Sequence, residues 1–246
     1  MTKVGSSTGL AVPDRVLAIG AHPDDIEFGC GATLAKWSAA GAEVHLLVLT
    51  DGSKGTWDAD ADTTALVATR QIEQRTAADA LGAVGVVHLG SVDGELENDI
   101  ETRRRVCAVI RTVRPDVVLG HDPWKRYRLH PDHRRAGDVS IESIVAARDP
   151  HFFPAQGDPH RPSALVLFES EVVDHVEDVT EHLEAKVAAL LAHRSQWRST
   201  MGIDEQADDV DARCEAFAAR IRAEAVAAAA GAGFELGEAF KLIQSL

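Results

Sequence analysis

Residues 16–50 read VLAIGAHPDDIEFGCGATLAKWSAAGAEVHLLVLT, and this stretch decides the fold. Val16 to Ala21 form a short apolar run that stops at His22. Residues 28–41 have helix-forming composition and end at Gly41, a residue suited to closing a helix. Residues 43–50, EVHLLVLT, are a second apolar run of strand length, closed by the polar loop DGSKGTWDADAD. A strand, a helix and a strand in so short a stretch make a crossover unit, the connection that parallel strands require.

The alternation continues outward. Residues 64–81 carry helical spacing, with Leu66, Ile72, Ala77 and Leu81 on one side. VGVVHL (84–89) reads as a third strand, 99–113 as a helix ending before Arg114-Pro115, and DVVLG (116–120) as a fourth strand. A helix is expected at 134–147. Strands of four to eight apolar residues alternating with helices predict a parallel sheet covered on both faces. The expected fold class is therefore α/β: a doubly wound, Rossmann-like, mostly parallel sheet with helices on both sides. Beyond a Pro-rich loop (149–162), ALVLFES (164–170) and VVDHVEDV (172–179) read as strands, and 180–194 and 205–229 as helices. Residues 1–14 read as a flexible arm and 15–246 as a single domain.

Bulk properties narrow the function. The 246 residues are 45% hydrophobic and 26% charged, enough for a large core without staples. A formal net charge of −14 argues against nucleic acid and against an anionic membrane surface, both of which demand a basic face. It suits a small neutral or cationic substrate. Cys30, Cys107 and Cys214 have no paired spacing, which points away from a disulfide framework and toward a reducing, cytoplasmic setting. The N-terminus lacks a signal-peptide apolar region, and no apolar run reaches the ~18 residues of a membrane span.

Two polar clusters interrupt the apolar pattern. Ala21-His22-Pro23-Asp24-Asp25 follows the first strand, and His130-Pro131-Asp132-His133 lies in the loop after the fourth. In the common strand order 3-2-1-4-5, strands one and four are neighbours at the switch point where ligands bind. The two clusters are thus expected to face each other in one crevice. Two imidazoles and a carboxylate suit Zn²⁺ or Fe²⁺ and leave positions open for water, which such an ion acidifies to near neutral pH. Hydrolysis also needs a base for the water and an acid for the leaving group, and the clusters have spare residues for both.

AHPDDIEFGCGATLAKW (21–37) resembles the AHPDD signature of the PIG-L/LmbE-like deacetylases, and HPDHRRAG (130–137) resembles their second signature. ATRQIEQRTAADALG (68–82) carries their R-x-x-E-x-x-x-A-A pattern, and KVAALLAHRSQ (186–196) and GEAF (237–240) also match family segments. The resemblance runs over residues 15–243. It implies a Rossmann-like fold, a divalent metal, zinc first, and hydrolysis of an N-acetyl group on a glucosamine-type sugar. It makes His22, Asp25 and His133 the metal ligands, Asp24 the general base, and His130 the group that stabilises the oxyanion and protonates the amine. The carboxylates of Asp24, Asp25 and Asp132 are expected to favour charged His130. Arg70 and Asp93 match sugar-contacting positions. Some members place a tyrosine two residues before the position of His130. Here that position is Arg128, with Tyr127 beside it, and either could assist the oxyanion. Homo-oligomers occur in the family.

Other readings compete. His-Pro-Asp-Asp alone could be a turn whose aspartates cap the next helix. Asp132 reads as a supporting or capping residue, and Arg70 could pair with Glu73 or Asp79 on a solvated face. His121 could line the site or serve as a structural hydrogen-bond donor. His45 and His88 read as satisfied core histidines, and His193 has no assigned chemistry. At the level of function, the rivals are an amidase acting on a thiol–sugar conjugate or an antibiotic precursor, a non-haem iron oxygenase with a two-His, one-carboxylate triad, and an inactive sugar-binding module. The spare Asp24 beside a ligand favours hydrolysis. Loops 52–63, 122–129 and 149–162 carry no motif that names the substrate.

Overall fold

In a computed structural model of the chain, residues 7–246 are described. Eight strands form one sheet: β1 (Ser7–Thr8), β2 (Arg15–Gly20), β3 (Glu43–Thr50), β4 (Gly85–Ser91), β5 (Val117–His121), β6 (Ala164–Phe168), β7 (His175–Asp178) and β8 (Gly237–Gln244). Their spatial order is β1-β7-β8-β6-β5-β2-β3-β4. Its β4-β3-β2-β5-β6 portion is the expected 3-2-1-4-5 arrangement, parallel throughout. Only β8 runs antiparallel, wedged between β6 and β7.

The central strands are apolar on both faces because helices cover both. Along β2, Val16 and Ala18 face one core while Leu17 and Ile19 face the other. The first core is closed by α1 (Asp25–Ala39), α2 (Thr63–Ala80) and α5 (Leu183–Leu191) through Leu34, Trp37, Ala77 and Ala189. The second is closed by α3 (Ile100–Val113) and α4 (Pro131–Arg148) through Val106, Ile110, Val139 and Ile144. A smaller cluster joins α5 to α6 (Val210–Ala228) through Val187, Leu190, Phe217 and Ile221. Burial of this apolar surface, at roughly 25 cal/mol per Å², is the main force holding the layers together.

The structure departs from the sequence expectations in five places. The arm expected at 1–14 is fastened at its far end: Ser7 and Thr8 pair with His175 and Val176, and Leu10 N donates to Glu177 at 2.7 Å. Residues 1–6 lie outside the described residues. Helix α4 begins at Pro131 rather than 134, because proline at the first helical position gives up no needed N–H, and His130 caps it. Helix α1 likewise begins at Asp25 rather than 28. Strand β8 also had not been expected. Its hydrogen bonds come from strands far away in sequence, so no local period announces it. His45 and His88 are half-buried on β3 and β4 rather than satisfied in the core, and His88 Nε2 has no partner.

Candidate active site

The β2 and β5 strands are neighbours, with Ala18 opposite Leu119, so the segments leaving their carboxyl ends meet. The first turns directly into α1. Asp24 adopts φ 104°, a left-handed backbone that a non-glycine residue enters at a cost of about 1–3 kcal/mol. That bend sends Asp24 and Asp25 in different directions. Several bonds hold it: Asp24 N donates to Gln74 Oε1 (3.2 Å), Phe28 N to Asp24 O (3.1 Å) and Thr50 Oγ1 to Ala21 O (2.8 Å). The second segment ends in α4, whose first turn presents Asp132 and His133. HPDH is therefore the start of a helix and not a loop.

Asp25 sits at the centre of an imidazole cluster. His22 Nδ1 lies 3.2 Å from Asp25 Oδ2, and His133 Nε2 lies 3.2 Å from Asp25 Oδ1. His121 Nε2 is 3.3 Å from Asp25 Oδ2 and also accepts the Ala21 N–H at 3.3 Å, so it both supports the turn and borders the cluster. Ligand atoms of Asp25, His121 and His133 lie within 4.8 Å of one another, as do those of His22, His130 and His133. The far nitrogen of His22 is 3.1 Å from both Asp132 and Asp93. Asp132 is itself fixed by Gly94 N (2.6 Å) and Leu96 N (3.2 Å). A histidine tied at its far nitrogen by carboxylates, with the other nitrogen turned toward a second donor such as Asp25, is the usual arrangement around a metal ligand.

Electrostatics agree with a cation at this point. Burial works against a charge on His22, but Asp132, Asp25 and Asp93 outweigh it and push its pKa up to about 12. The carboxylates that favour a proton there would equally favour a divalent cation in its place. Asp25 is also opposed by burial, yet His133 and His121 hold it well below the usual carboxylate range. His22, Asp25 and His133 are donors of the kind a divalent ion takes; the sets around His133 whose atoms all approach within 4.8 Å join His121 to Asp25 and His133, and His130 to His22 and His133. His133 adds one condition. Arg128 Nη1 donates to its Nδ1 at 2.8 Å. A ligand bond at Nε2 requires the ring proton on Nδ1, so Arg128 must then rely on Glu169 Oε2, which it already meets at 2.6 Å.

Asp24 points away from this cluster toward a buried polar chain. Its Oδ2 is 3.5 Å from Arg70 Nη2. Burial raises its pKa to about 6; Arg70 lowers it and Asp25 raises it further. Behind it, Gln74 Nε2 donates to Glu27 (2.6 Å), and Glu27 Oε2 faces His193 Nε2 at 3.5 Å. His193 is fully buried, and Glu27 raises its pKa against the penalty of burial. Arg70 is 2% exposed, and its donors reach Gly52 O (2.9 Å) and Pro23 O. Glu73 accepts from Ser195 N and Oγ at 2.8 and 2.6 Å. The R-x-x-E spacing thus ties α2 to the loops on either side.

His130 stands beside His22, with ring centroids 4.5 Å apart. The expectation that nearby carboxylates keep it charged is not met. Its pKa is lowered, first by burial and then by His22 and His133, and Asp132 and Asp93 do not compensate. Asp132 N donates to His130 Nδ1 at 3.3 Å, so the neutral ring carries its proton on Nε2. Asp93 lines the cavity and accepts from Lys54 N at 3.1 Å. Tyr127 is 89% exposed, and Arg128 turns inward onto His133 and Glu169, but neither lines the cavity. Glu169, which sequence reasoning missed, lines the cavity at the end of β6. Burial opposes its charge, but His121 and Arg128 hold its pKa at about 2. It sits just past an apolar strand in a segment read only as a strand, so nothing local singles it out. These residues form the inner end of a cavity of about 510 Å³, which also reaches Lys54–Trp57 and Ser199–Thr200.

Comparison with known proteins bears on the same residues. Residues 17–144 match the PIG-L family, described as GlcNAc-PI de-N-acetylase. A diacetylchitobiose deacetylase of Thermococcus kodakarensis is 37% identical over 74% of this chain and 70% of its own. A 1D-myo-inositol 2-acetamido-2-deoxy-alpha-D-glucopyranoside deacetylase of Kineococcus radiotolerans is 29% identical over 79% and 72%. Among solved structures, the N,N'-diacetylchitobiose deacetylase of Pyrococcus horikoshii superposes with a TM-score of 0.82 at 32% identity, covering 94% of this chain and 84% of that one.

Proposed function

The chain belongs to the PIG-L family of de-N-acetylases, and from that footing we propose that it hydrolyses the N-acetyl amide of a GlcNAc-type amino sugar, with a divalent ion held by His22, Asp25 and His133. The observation that carries this reading is the division of labour at the strained turn. Asp25 faces two imidazoles at 3.2 Å, while the adjacent Asp24 is bent away into a buried, cation-lined pocket. A metal-binding module would need the first feature only. No helix among the described residues is long and apolar enough to cross a membrane.

When bound, the divalent ion would supply Lewis acidity to a water and to the acetyl carbonyl. The remaining work falls to side chains. Asp24, with a pKa near 6, is mostly ionised at neutral pH and still basic enough to take a proton from the attacking water. His130 offers its Nε2–H to the carbonyl oxygen as negative charge develops there. A neutral His130 lacks the extra proton that the departing amine needs. Asp24 therefore returns the one it took, the C–N bond breaks, and acetate and a free amine result. This moves the acid role that the family resemblance suggested for His130 onto Asp24. Arg70 holds Asp24 and two backbone carbonyls rather than reaching for sugar, and Asp93 is the polar group best placed to meet a ring hydroxyl.

The test is free-amine release from a panel of N-acetylated amino sugars, with metal content measured on the same sample. Asp24→Ala should keep its metal and lose kcat by about 10²–10⁴-fold. Metal-loaded protein that releases amine from no member of the panel would overturn the reading.

A further inference from the structure

Trp57 is 90% exposed, yet it lines the cavity whose inner end holds Asp24, Asp25 and His130. It stands on a loop built with care. Arg70 donates to Gly52 O at 2.9 Å, Gln196 Nε2 to Gly55 O at 3.1 Å, and Lys54 N to Asp93 at 3.1 Å. A Cβ on Gly55 would come within 2.2 Å of Arg70 Nη1, so the loop backbone lies directly on the buried guanidinium. The base of the loop is thus pinned by the same arginine that holds Asp24, while the indole is left in solvent. Nothing on its own loop packs over it. A pinned backbone that presents a bare aromatic face toward a cavity is a preformed platform, and one exposed indole there needs an apolar surface from the ligand.

We propose that Trp57 stacks on a second pyranose ring, so that the preferred substrate is an N-acetylated oligosaccharide of two or more rings rather than a monosaccharide. The inference rests on the deacetylase reading above. The acetamido group must reach the inner end of the cavity, so the ring that carries it fills the adjoining space and whatever is joined to it emerges at the Trp57 rim. A pyranose turns a row of axial C–H bonds to one face, which suits an indole. The loop adds Lys54 beside it, already paired to Glu95 at 3.0 Å, so the rim recruits no free charge and favours a neutral partner.

The experiment compares N-acetylglucosamine, N,N'-diacetylchitobiose and an N-acetylglucosaminyl inositol, using the metal-loaded wild type, Trp57→Ala and Trp57→Phe. Trp57→Ala should lower kcat/KM for the disaccharide by about two- to ten-fold more than for the monosaccharide, mainly through KM, with Phe recovering most of the loss. An unchanged disaccharide-to-monosaccharide ratio in Trp57→Ala overturns the platform. So does a wild-type preference for the inositol glycoside that depends equally on Trp57. Indole fluorescence separates the two layers of the argument. Diacetylchitobiose should change the emission saturably in wild type and not in Trp57→Ala. If no substrate releases amine but this signal is present, the deacetylase reading fails and the platform stands; if amine is released and the signal is absent, the platform fails alone.

Discussion

Replacing Arg70 by methionine separates two roles for this residue. The side chain is 2% exposed and meets Gly52 O, Pro23 O and Asp24, so the loss falls on buried acceptors rather than on a surface contact. A buried carbonyl left without a donor costs about 1–3 kcal/mol. Methionine keeps most of the stem's packing, and cavity water can reach part of the space, so a net loss of about 3 kcal/mol is expected for the two carbonyls. In a chain of this length that lowers Tm by roughly 6–12 °C, which differential scanning calorimetry resolves. The second consequence is electrostatic. Burial raises the Asp24 pKa to about 6 and Arg70 acts against that rise, so without Arg70 the pKa climbs further. A base must be ionised to work, so activity is lost as pH falls through its pKa. The acid limb of kcat/KM should therefore move to higher pH in Arg70→Met, while metal content holds. A variant with wild-type Tm and an unmoved acid limb, but a raised KM, would refute this reasoning. It would return Arg70 to the sugar-contacting role that the family resemblance suggests.

Three further outcomes are expected. His22→Ala and His133→Ala should lose metal and activity together, as measured by elemental analysis and amine release; a variant that keeps a stoichiometric ion would remove that residue from the ligand set. His130→Ala should retain metal and lose about 10²–10³-fold in kcat, the usual cost of a missing oxyanion donor, and its alkaline limb should remain because the ring is already neutral. Lys186→Met leaves Glu238 buried without its partner at 2.7 Å, with only the backbone donors Ala32 N and Thr33 N, and should destabilise the fold by about 3–5 kcal/mol in denaturant titration.

Particular residues show how far sequence reasoning reaches. The βα units from Arg15 to Arg148 were legible because the strands are short, mainly apolar runs and the helices between them carry helical spacing or composition, both local properties. The pairing of His22 with His133 followed from one topological rule, since the order of β2 and β5 places their ends together. Glu169, Gln74 and Glu27 were not legible. Each lies in an ordinary strand end or helix, and each acquires meaning only from a partner supplied by another element.

The sequence by itself therefore determined the layered α/β fold, the crevice and the kinds of donor that meet there, because periodicity and composition are written residue by residue. Only the tertiary structure decided which way each donor faces. It turned Arg128 inward and Tyr127 out, set Arg70 both under the loop and along the cavity wall, made His130 the cap of α4, and inserted β8 between β6 and β7. The physical reason is common to all four. Burial, hydrogen-bond direction and charge balance depend on neighbours more than a dozen residues away or on the exact course of a turn, and no local pattern encodes them.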